Sequence, residues 1–521
     1  MDYEPKHFQV VVIGSGFGGS LIAMIAHRLG FATAMIERGR HPRFAIGESS
    51  TPLANLLLEE IAAEYDLLFI RPLSKWGTWQ KQLPQLACGL KRGFTFYHHE
   101  FGKPFWPDAE RHRQLLVGAS PNEQVADTHW YRPEFDQYLA EQAQNLGIAY
   151  WDETNLSSVV DDSGGMRLAG KRRGNAIEFT ADFVIDATGP RGCLSRALEL
   201  PERTFTAFPR TQGLYSHFRD VRSLPDCFIS NSRTAPYPPE QAAVHHVFPG
   251  GWVWVLKFNH GITSAGVAAT DEIARDLNFS EGEPAWRRLL EQLPSLKEIF
   301  SPARATIPFV HSPRLPFRSR VAAGSHWALL PSAAGFIDPL LSTGFALTLL
   351  GVTRLGRSLG SHWQRSSFQR ELESYSRLTL LELDTAARLV AALYANMRRF
   401  DLFKELSLLY FAAASFSETA RRLGKTHLAD SFLLCRHPVF SRQLRQICAA
   451  AQRPLSTKEI AKLKREIRAA IEPFDVAGLT DRSRHPWYPA LALDLLRNAP
   501  KLGAERREIA AMLQRCGLKA D

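Results

Sequence analysis

Residues 8–13 (FQVVVI) form a short, largely apolar run rich in β-branched side chains, the pattern of a buried parallel strand. Residues 14–19 (GSGFGG) break it, residues 21–29 carry helical spacing, Gly30 ends that helix, and residues 32–36 (ATAMI) make a second apolar strand. Strand, turn, helix and strand within about 30 residues is a βαβ unit. Two more strands of this kind are expected at 183–189 (FVIDATG), behind a helical stretch over 132–147, and at 327–330 (WALL), ahead of a turn and helix. Residues of about 86–125 and 200–320 alternate apolar and polar and hold many aromatics, as at 251–258, which predicts half-buried strands. From about residue 354 helical periodicity takes over. Long helices are expected at 379–397 and 402–423, with Pro438, Pro454 and Pro473 at later boundaries.

The glycine run gives the first strand a purpose. Gly14-Ser15-Gly16-Phe17-Gly18-Gly19 fits G-x-G-x-x-G. Gly14 permits the tight turn, Gly16 lets the backbone approach a pyrophosphate, and Gly19 lets helix and strand pack closely, so that helix amides face the anion. Glu37 ends the next strand, where a carboxylate accepts ribose hydroxyls. The chain returns to the same level at Asp186-Ala187-Thr188-Gly189 and again over 331–344. The expected fold is therefore α/β: a Rossmann-type dinucleotide-binding domain assembled from segments 1–85, 126–199 and 321–355. A β-rich substrate domain is inserted over about 86–125 and 200–320, and 356–521 form a C-terminal helical region.

Composition removes several classes. Six cysteines (Cys88, Cys193, Cys227, Cys435, Cys448, Cys516) show no CxxC spacing, so neither a metal site nor a disulfide framework is expected. Residues 1–5 run straight into a strand with no signal-peptide pattern, so a cytoplasmic protein is expected. The most apolar segment, 328–352, holds Pro331, Pro339, Asp338 and three glycines, which suits a loop feeding a helix and not a transmembrane segment. The net charge of +10 comes with no helix-turn-helix, RNP or zinc-finger signature, so nucleic acid is not an expected partner.

Three separated segments along one extended coenzyme resemble the FAD family of hydroxylases, prenyl reductases and halogenases, over the chain to about residue 355. Arg132, in His129-Trp130-Tyr131-Arg132-Pro133-Glu134-Phe135-Asp136, matches that family's arginine ahead of a helix near the flavin. Three stretches narrow the likeness to flavin-dependent halogenases. Gly47-Glu48-Ser49-Ser50-Thr51-Pro52 resembles their GE-containing strap against the isoalloxazine. Gly250-Gly251-Trp252-Val253-Trp254-Val255-Leu256 resembles the W-x-W-x-I-P signature, with Lys257 in place of the proline. Residues 333–344 (AAGFIDPLLSTG) resemble the loop and helix start over the flavin: Gly335 and Asp338-Pro339 shape the turn. There Ser342-Thr343-Gly344 present amides that stabilise a reduced flavin or hold a halide. Matches around Tyr375, Glu382, Leu393-Tyr394 and Phe400-Asp401-Leu402-Phe403 are looser.

Two departures carry meaning. Pro331-Ser332 replaces the family's Gly-Asp, which removes a charge from the ribityl side and implies weaker FAD binding. Leu341 stands where tryptophan halogenases carry an acid, which points to the phenol or pyrrole branch.

The resemblance implies FAD used as FADH2, oxygen, and chloride or bromide as co-substrate, giving hypohalous acid that a lysine directs at an electron-rich ring. It also implies a separate NAD(P)H-dependent flavin reductase and a small aromatic or pyrrole-like substrate, in some members tethered to an acidic carrier protein. Lys91, in Gly89-Leu90-Lys91-Arg92-Gly93-Phe94-Thr95-Phe96, matches the family's K-x-G-x-x-F context. Lys75 and Lys81 lie nearer the usual interval from the strap but lack that context. Burial would favour the neutral, reactive amine. An FAD hydroxylase or epoxidase without halide, a prenyl-type reductase and a non-catalytic flavin-binding protein are the alternatives.

Overall fold

In the computed structural model, which describes residues 6–162, 164–224 and 235–518, four strands bring the separated segments side by side. Lys6–Ile13 pairs in parallel with Thr33–Ile36 and with Asn175–Asp186, and Trp327–Leu329 pairs in parallel with Asn175–Asp186. The register sets Ile13 beside Ile36 and Asp186, and Asp186 beside Leu329. Gly14, Glu37, Ala187 and Leu330 thus leave the C-terminal strand ends at one level, where open parallel sheets hold their ligands.

Ala149–Trp151 adds to one edge, and the antiparallel strands Thr154–Asp162 and Gly165–Arg172 extend the other side to make seven strands. That hairpin escapes the sequence pattern because much of it is solvent-exposed and carries no long apolar run. The helix Phe17–Arg28 begins earlier than its periodicity indicates, since Gly18, Gly19 and Ser20 are buried and helical despite poor propensity. A Cβ on Gly19 would stand 1.9 Å from the Gly14 carbonyl oxygen, so only glycine fits.

The stretches around 86–125 and 200–320 meet in one nine-stranded sheet, joined where Gly93–His98 pairs in parallel with Ala243–Phe248. Two features differ from the sequence pattern. Asp271–Asp276, Glu283–Gln292 and Pro294–Phe300 are helices, and they close a separate core with Phe248, Phe279 and Trp286. Trp487–Tyr488, from the helical C-terminal region, pairs in parallel with Gln114–Gly118 at the sheet edge. A two-residue strand has no period to detect.

A small ladder between Cys88–Lys91 and Asp127–Trp130 sets Lys91 opposite Asp127, and a bridge from Ser49 to His129 brings in the 47–52 stretch. Residues 328–352 resolve into the end of a strand, the short helix Pro331–Ala334, a loop and the start of Thr343–His362. Among the described residues no helix is long and apolar enough to cross a membrane. The C-terminal helices run Phe368–Tyr394, Phe400–Arg422, Pro438–Ala451 and Thr457–Ile471. Cys227 and residues 1–5 lie outside the described residues, and the five described cysteines are all unpaired.

Candidate functional site

A cavity of about 320 Å³ opens at the C-terminal ends of the parallel strands. Gly16, Phe17 and Gly18 border it from the start of the first helix, Glu48 and Ser49 from the 47–52 stretch, and Arg132 from the helix Arg132–Asn145. Gly189 borders it from the third strand, and Gly335, Asp338, Ser342, Thr343 and Gly344 from the 331–344 loop. The three segments read from the sequence converge on one space.

Other expected residues stand behind that wall. Gly14 has φ +98° and backs onto the Ala187 carbonyl. Asp186, fully buried, accepts from the Thr188 amide and hydroxyl (2.8 and 2.6 Å) and the Leu194 amide (2.7 Å), fixing the turn whose Thr188 and Gly189 reach the cavity. Burial pushes its carboxyl up, and those donors pull it back. Glu37 is engaged by the chain itself: Oε2 accepts from the Ser15 amide and Arg43 Nη2, and Oε1 from the Gly39 amide. Burial raises its carboxyl, but Arg43 and these amides win and hold it below the usual range.

Arg132 ties three elements together. Its guanidinium donates twice to Asp136 (2.8 and 2.7 Å), and Nη1 donates to the Gly47 carbonyl at 2.9 Å. It also stands 5.0 Å from the Phe17 ring. Glu48 Oε1 accepts from His217 Nε2 at 2.9 Å, and both groups are buried. Asp338 ties the 331–344 loop to the nine-stranded sheet and to the helix Phe368–Tyr394: Oδ1 accepts from Trp252 Nε1 (3.1 Å) and Oδ2 from the Tyr394 hydroxyl (2.8 Å). Burial raises its pKa to about 6. Trp252 and Trp254 both border the cavity, so the paired tryptophans form its wall as well as core.

Leu341 (φ +67°) and Ser342 (φ +53°) adopt left-handed backbone immediately before Thr343–His362. Such conformations cost on the order of 1–3 kcal/mol each for non-glycine residues. No side chain caps that helix or Phe17–Arg28. Two uncapped helix N-termini, each the positive end of a macrodipole, therefore face one cavity. That donor set fits a doubly phosphorylated coenzyme with an electron-rich ring system, between the apolar walls of Trp252, Trp254 and Phe336. Ser332 also borders the space, in place of an aspartate.

Lys91 lies beyond the cavity wall, fully buried. Its Nζ donates to Ser49 Oγ (2.8 Å) and the Ser50 carbonyl (2.5 Å), and sits 4.0 Å from the centre of the Phe94 ring. Ser49 borders the first cavity, whereas Phe94 and Thr51 border a second, of about 190 Å³. The second cavity is lined by Tyr410, Phe411 and Ala414 and closed by residues such as Leu479, Leu491 and Leu513. Lys75 reaches that cavity but pairs with Glu59 at 3.5 Å, and Lys81 is exposed.

Sequence reasoning missed Arg43, His217, His245, Asp127 and the second cavity. Arg43, six residues after Glu37, was the one with a local signal. The others depend on contacts across long separations, such as the 169 residues between Glu48 and His217.

Fold and cavity together define an FAD-dependent oxidoreductase of the Rossmann type. The family model described as tryptophan halogenase matches residues 124–405, more than half of the chain, and the chain belongs to that family of flavin-dependent halogenases. It is 27% identical over 415 residues to the monodechloroaminopyrrolnitrin halogenase PrnC of Pseudomonas fluorescens, covering 78% of this chain and 71% of that protein. It is 26% identical over 421 residues to the tetracycline 7-halogenase of Kitasatospora aureofaciens, covering 78% and 74%. The crystal structure of halogenase PltM with phloroglucinol and FAD superposes with a TM-score of 0.79 over 92% of this chain and 99% of that one, at 23% identity, a likeness of fold.

Proposed function

We propose that the protein is a two-component halogenase that holds reduced FAD in the first cavity, receives it from a separate NAD(P)H-dependent reductase, and halogenates an electron-rich phenol or pyrrole in the second. The segments 1–85, 126–199 and 321–355 make the coenzyme-binding unit in this reading, the sheet strands of 86–125 and 200–320 separate the two cavities, and 356–521 roofs the acceptor side. The free cysteines accord with a cytoplasmic setting. The basic excess accords with a substrate carried on an acidic protein.

Reduced FAD, when bound, supplies the oxygen activation that turns a halide into an electrophilic halogen. The chain's own residues divide the remaining work. The amides of Gly16 to Gly18 hold the pyrophosphate, and those at Thr343 and Gly344 hold the halide or the anionic ring edge. Arg132 and the Glu48–His217 pair fix the 47–49 stretch, so that Ser49 presents a constant wall. Trp252, Trp254 and Phe345 keep water from the reacting ring. Lys91 receives the electrophile and directs it at the acceptor.

The observation that carries this reading is the position of Lys91, with Ser49 on its coenzyme side and Phe94 on the far side. The test incubates the protein with reduced FAD, oxygen, bromide and a panel of phenols and pyrroles. Brominated product is expected. Oxygenated product that is indifferent to bromide would replace halogenation with hydroxylation.

A further inference from the structure

Lys91 and Asp127 are direct partners across the Cys88–Lys91/Asp127–Trp130 ladder, and both are buried. Directly opposed residues hold their Cβ atoms about 4.5–5.5 Å apart. Asp127 Oδ1 accepts a 2.8 Å hydrogen bond from Asn55 Nδ2, while Oδ2 is buried with no hydrogen-bond partner. An ionised carboxylate left that way is costly, and a protonated one is much less so. Lys91 does not turn to it. It donates to Ser49 Oγ and the Ser50 carbonyl, which use both N–H groups of a neutral amine and leave one lone pair. Two groups of opposite charge type, adjacent yet not hydrogen-bonded to each other, is an arrangement in which either group can hold the proton.

We propose that Asp127 is the positioning partner of Lys91, sharing a single proton with it, so that the carboxylate sets the pH at which the lysine becomes a free amine. The inference rests on the directing role of Lys91 given above. In the step, a proton leaves the Lys91 ammonium, its bonding pair becomes the Nζ lone pair, and the proton joins the Asp127 carboxylate to give a carboxylic acid. The pair is neutral overall before and after, so no uncompensated charge appears in the interior.

The surroundings favour this exchange. Burial pushes the Lys91 ammonium down and the Asp127 carboxyl up, toward each other, while each charge opposes the other's shift. His129 and His245 also face the lysine, and burial keeps both imidazoles well below the usual histidine range. On the side of the helix Phe400–Arg422, Glu418 and Arg422 act on Asp127 with opposite sign and are bonded to each other at 2.5 Å. Tyr410 stays protonated, since burial and Asp127 push its hydroxyl up.

The experiment measures bromination of a phenol by the full-length protein at saturating reduced FAD, over a pH series, for wild type, Asp127→Asn, Asp127→Glu and Asn55→Ala. In the wild type the rate climbs with pH as the amine is freed. Removing the carboxylate withdraws the charge that favours the ammonium. Asp127→Asn should therefore move this acid limb down by about one pH unit, a tenfold gain in free amine there. Asp127→Glu should restore it. Asn55→Ala, which removes the bond favouring the ionised carboxylate, should shift the limb the same way by less, and it serves should Asp127→Asn fail to fold. FAD affinity and flavin reoxidation should not change. A folded, FAD-binding variant whose limb stays in place, whatever its plateau, overturns the proposal. Absence of brominated product from the wild type instead overturns the reading of Lys91.

Discussion

The two cavities are built from different materials. The first cavity is made largely of backbone: glycine turns, strand ends in register and uncapped helix termini, held by Asp186 and Glu37 from behind and by Arg132 at its edge. The second cavity is made of side chains, with Phe94 from the second sheet, Tyr410, Phe411 and Ala414 from one helix, and Leu491 and Leu513 from the C-terminal region. A backbone site must meet a fixed anion and tolerates little change. A side-chain site can be reshaped one residue at a time, which is how one coenzyme platform serves many acceptors. Lys91 belongs to neither and is held by groups that border both.

The largest effect tests that division at its seam. Lys91→Met should lower halogenation by at least about 100-fold, the scale of losing a positioned catalytic group. FAD binding and flavin reoxidation, followed by absorbance, should stay at wild-type levels. Next comes the coenzyme side alone. Gly19→Ala forces a Cβ to within 1.9 Å of the Gly14 carbonyl oxygen. Overpacking of this kind costs about 1–3 kcal/mol, so FAD affinity by fluorescence titration should fall roughly 10- to 100-fold. On the acceptor side, Ala414→Phe projects into the second cavity and should raise KM for a phenol by about tenfold with FAD affinity unchanged. A parallel loss of FAD affinity there would show that the two spaces are not independent.

The smallest effect concerns Asp338, which ties the 331–344 loop to Trp252 and Tyr394. The pKa of Asp338 in the folded protein, about 6, lies above its ordinary value of 3.8, so its contribution to stability is full below pH 4 and is lost as pH rises through 6. Asp338→Asn removes that dependence. The melting temperature of wild type relative to the variant should drop by a few degrees, about 2–4 °C per kcal/mol, between pH 4 and 7 and then level off.

The same contrast explains what could be read from sequence. Gly14, Gly16 and Gly19 announce themselves because a turn, a close approach and a contact without Cβ each demand glycine at a fixed spacing. The parallel strands show as apolar runs for an equally local reason. Trp252 and Trp254 were visible as a pair, but their wall position follows from Asp338 and Tyr394, which are distant in the chain. Lys91 was marked by the glycine and phenylalanines after it, although its spacing from Glu48 was longer than expected. Asp127 carried no mark at all. It matters because strand pairing sets it across from Lys91 and because Asn55, 72 residues away, takes one of its oxygens. The helices over 271–300 were hidden inside a stretch whose flanks alternate as strands do.

The pairing of Trp487–Tyr488 with Gln114–Gly118 bears on how the molecule is made. Apart from Leu383, every residue lining the nucleotide crevice has been synthesised once the helix Thr343–His362 is complete, whereas the far chamber lacks its roof until Leu479, Leu491 and Leu513 arrive. Biosynthesis runs from the N-terminus. A nascent chain can thus complete most of its first cavity while the second still stands open to water, and residues 479–513 shut the door.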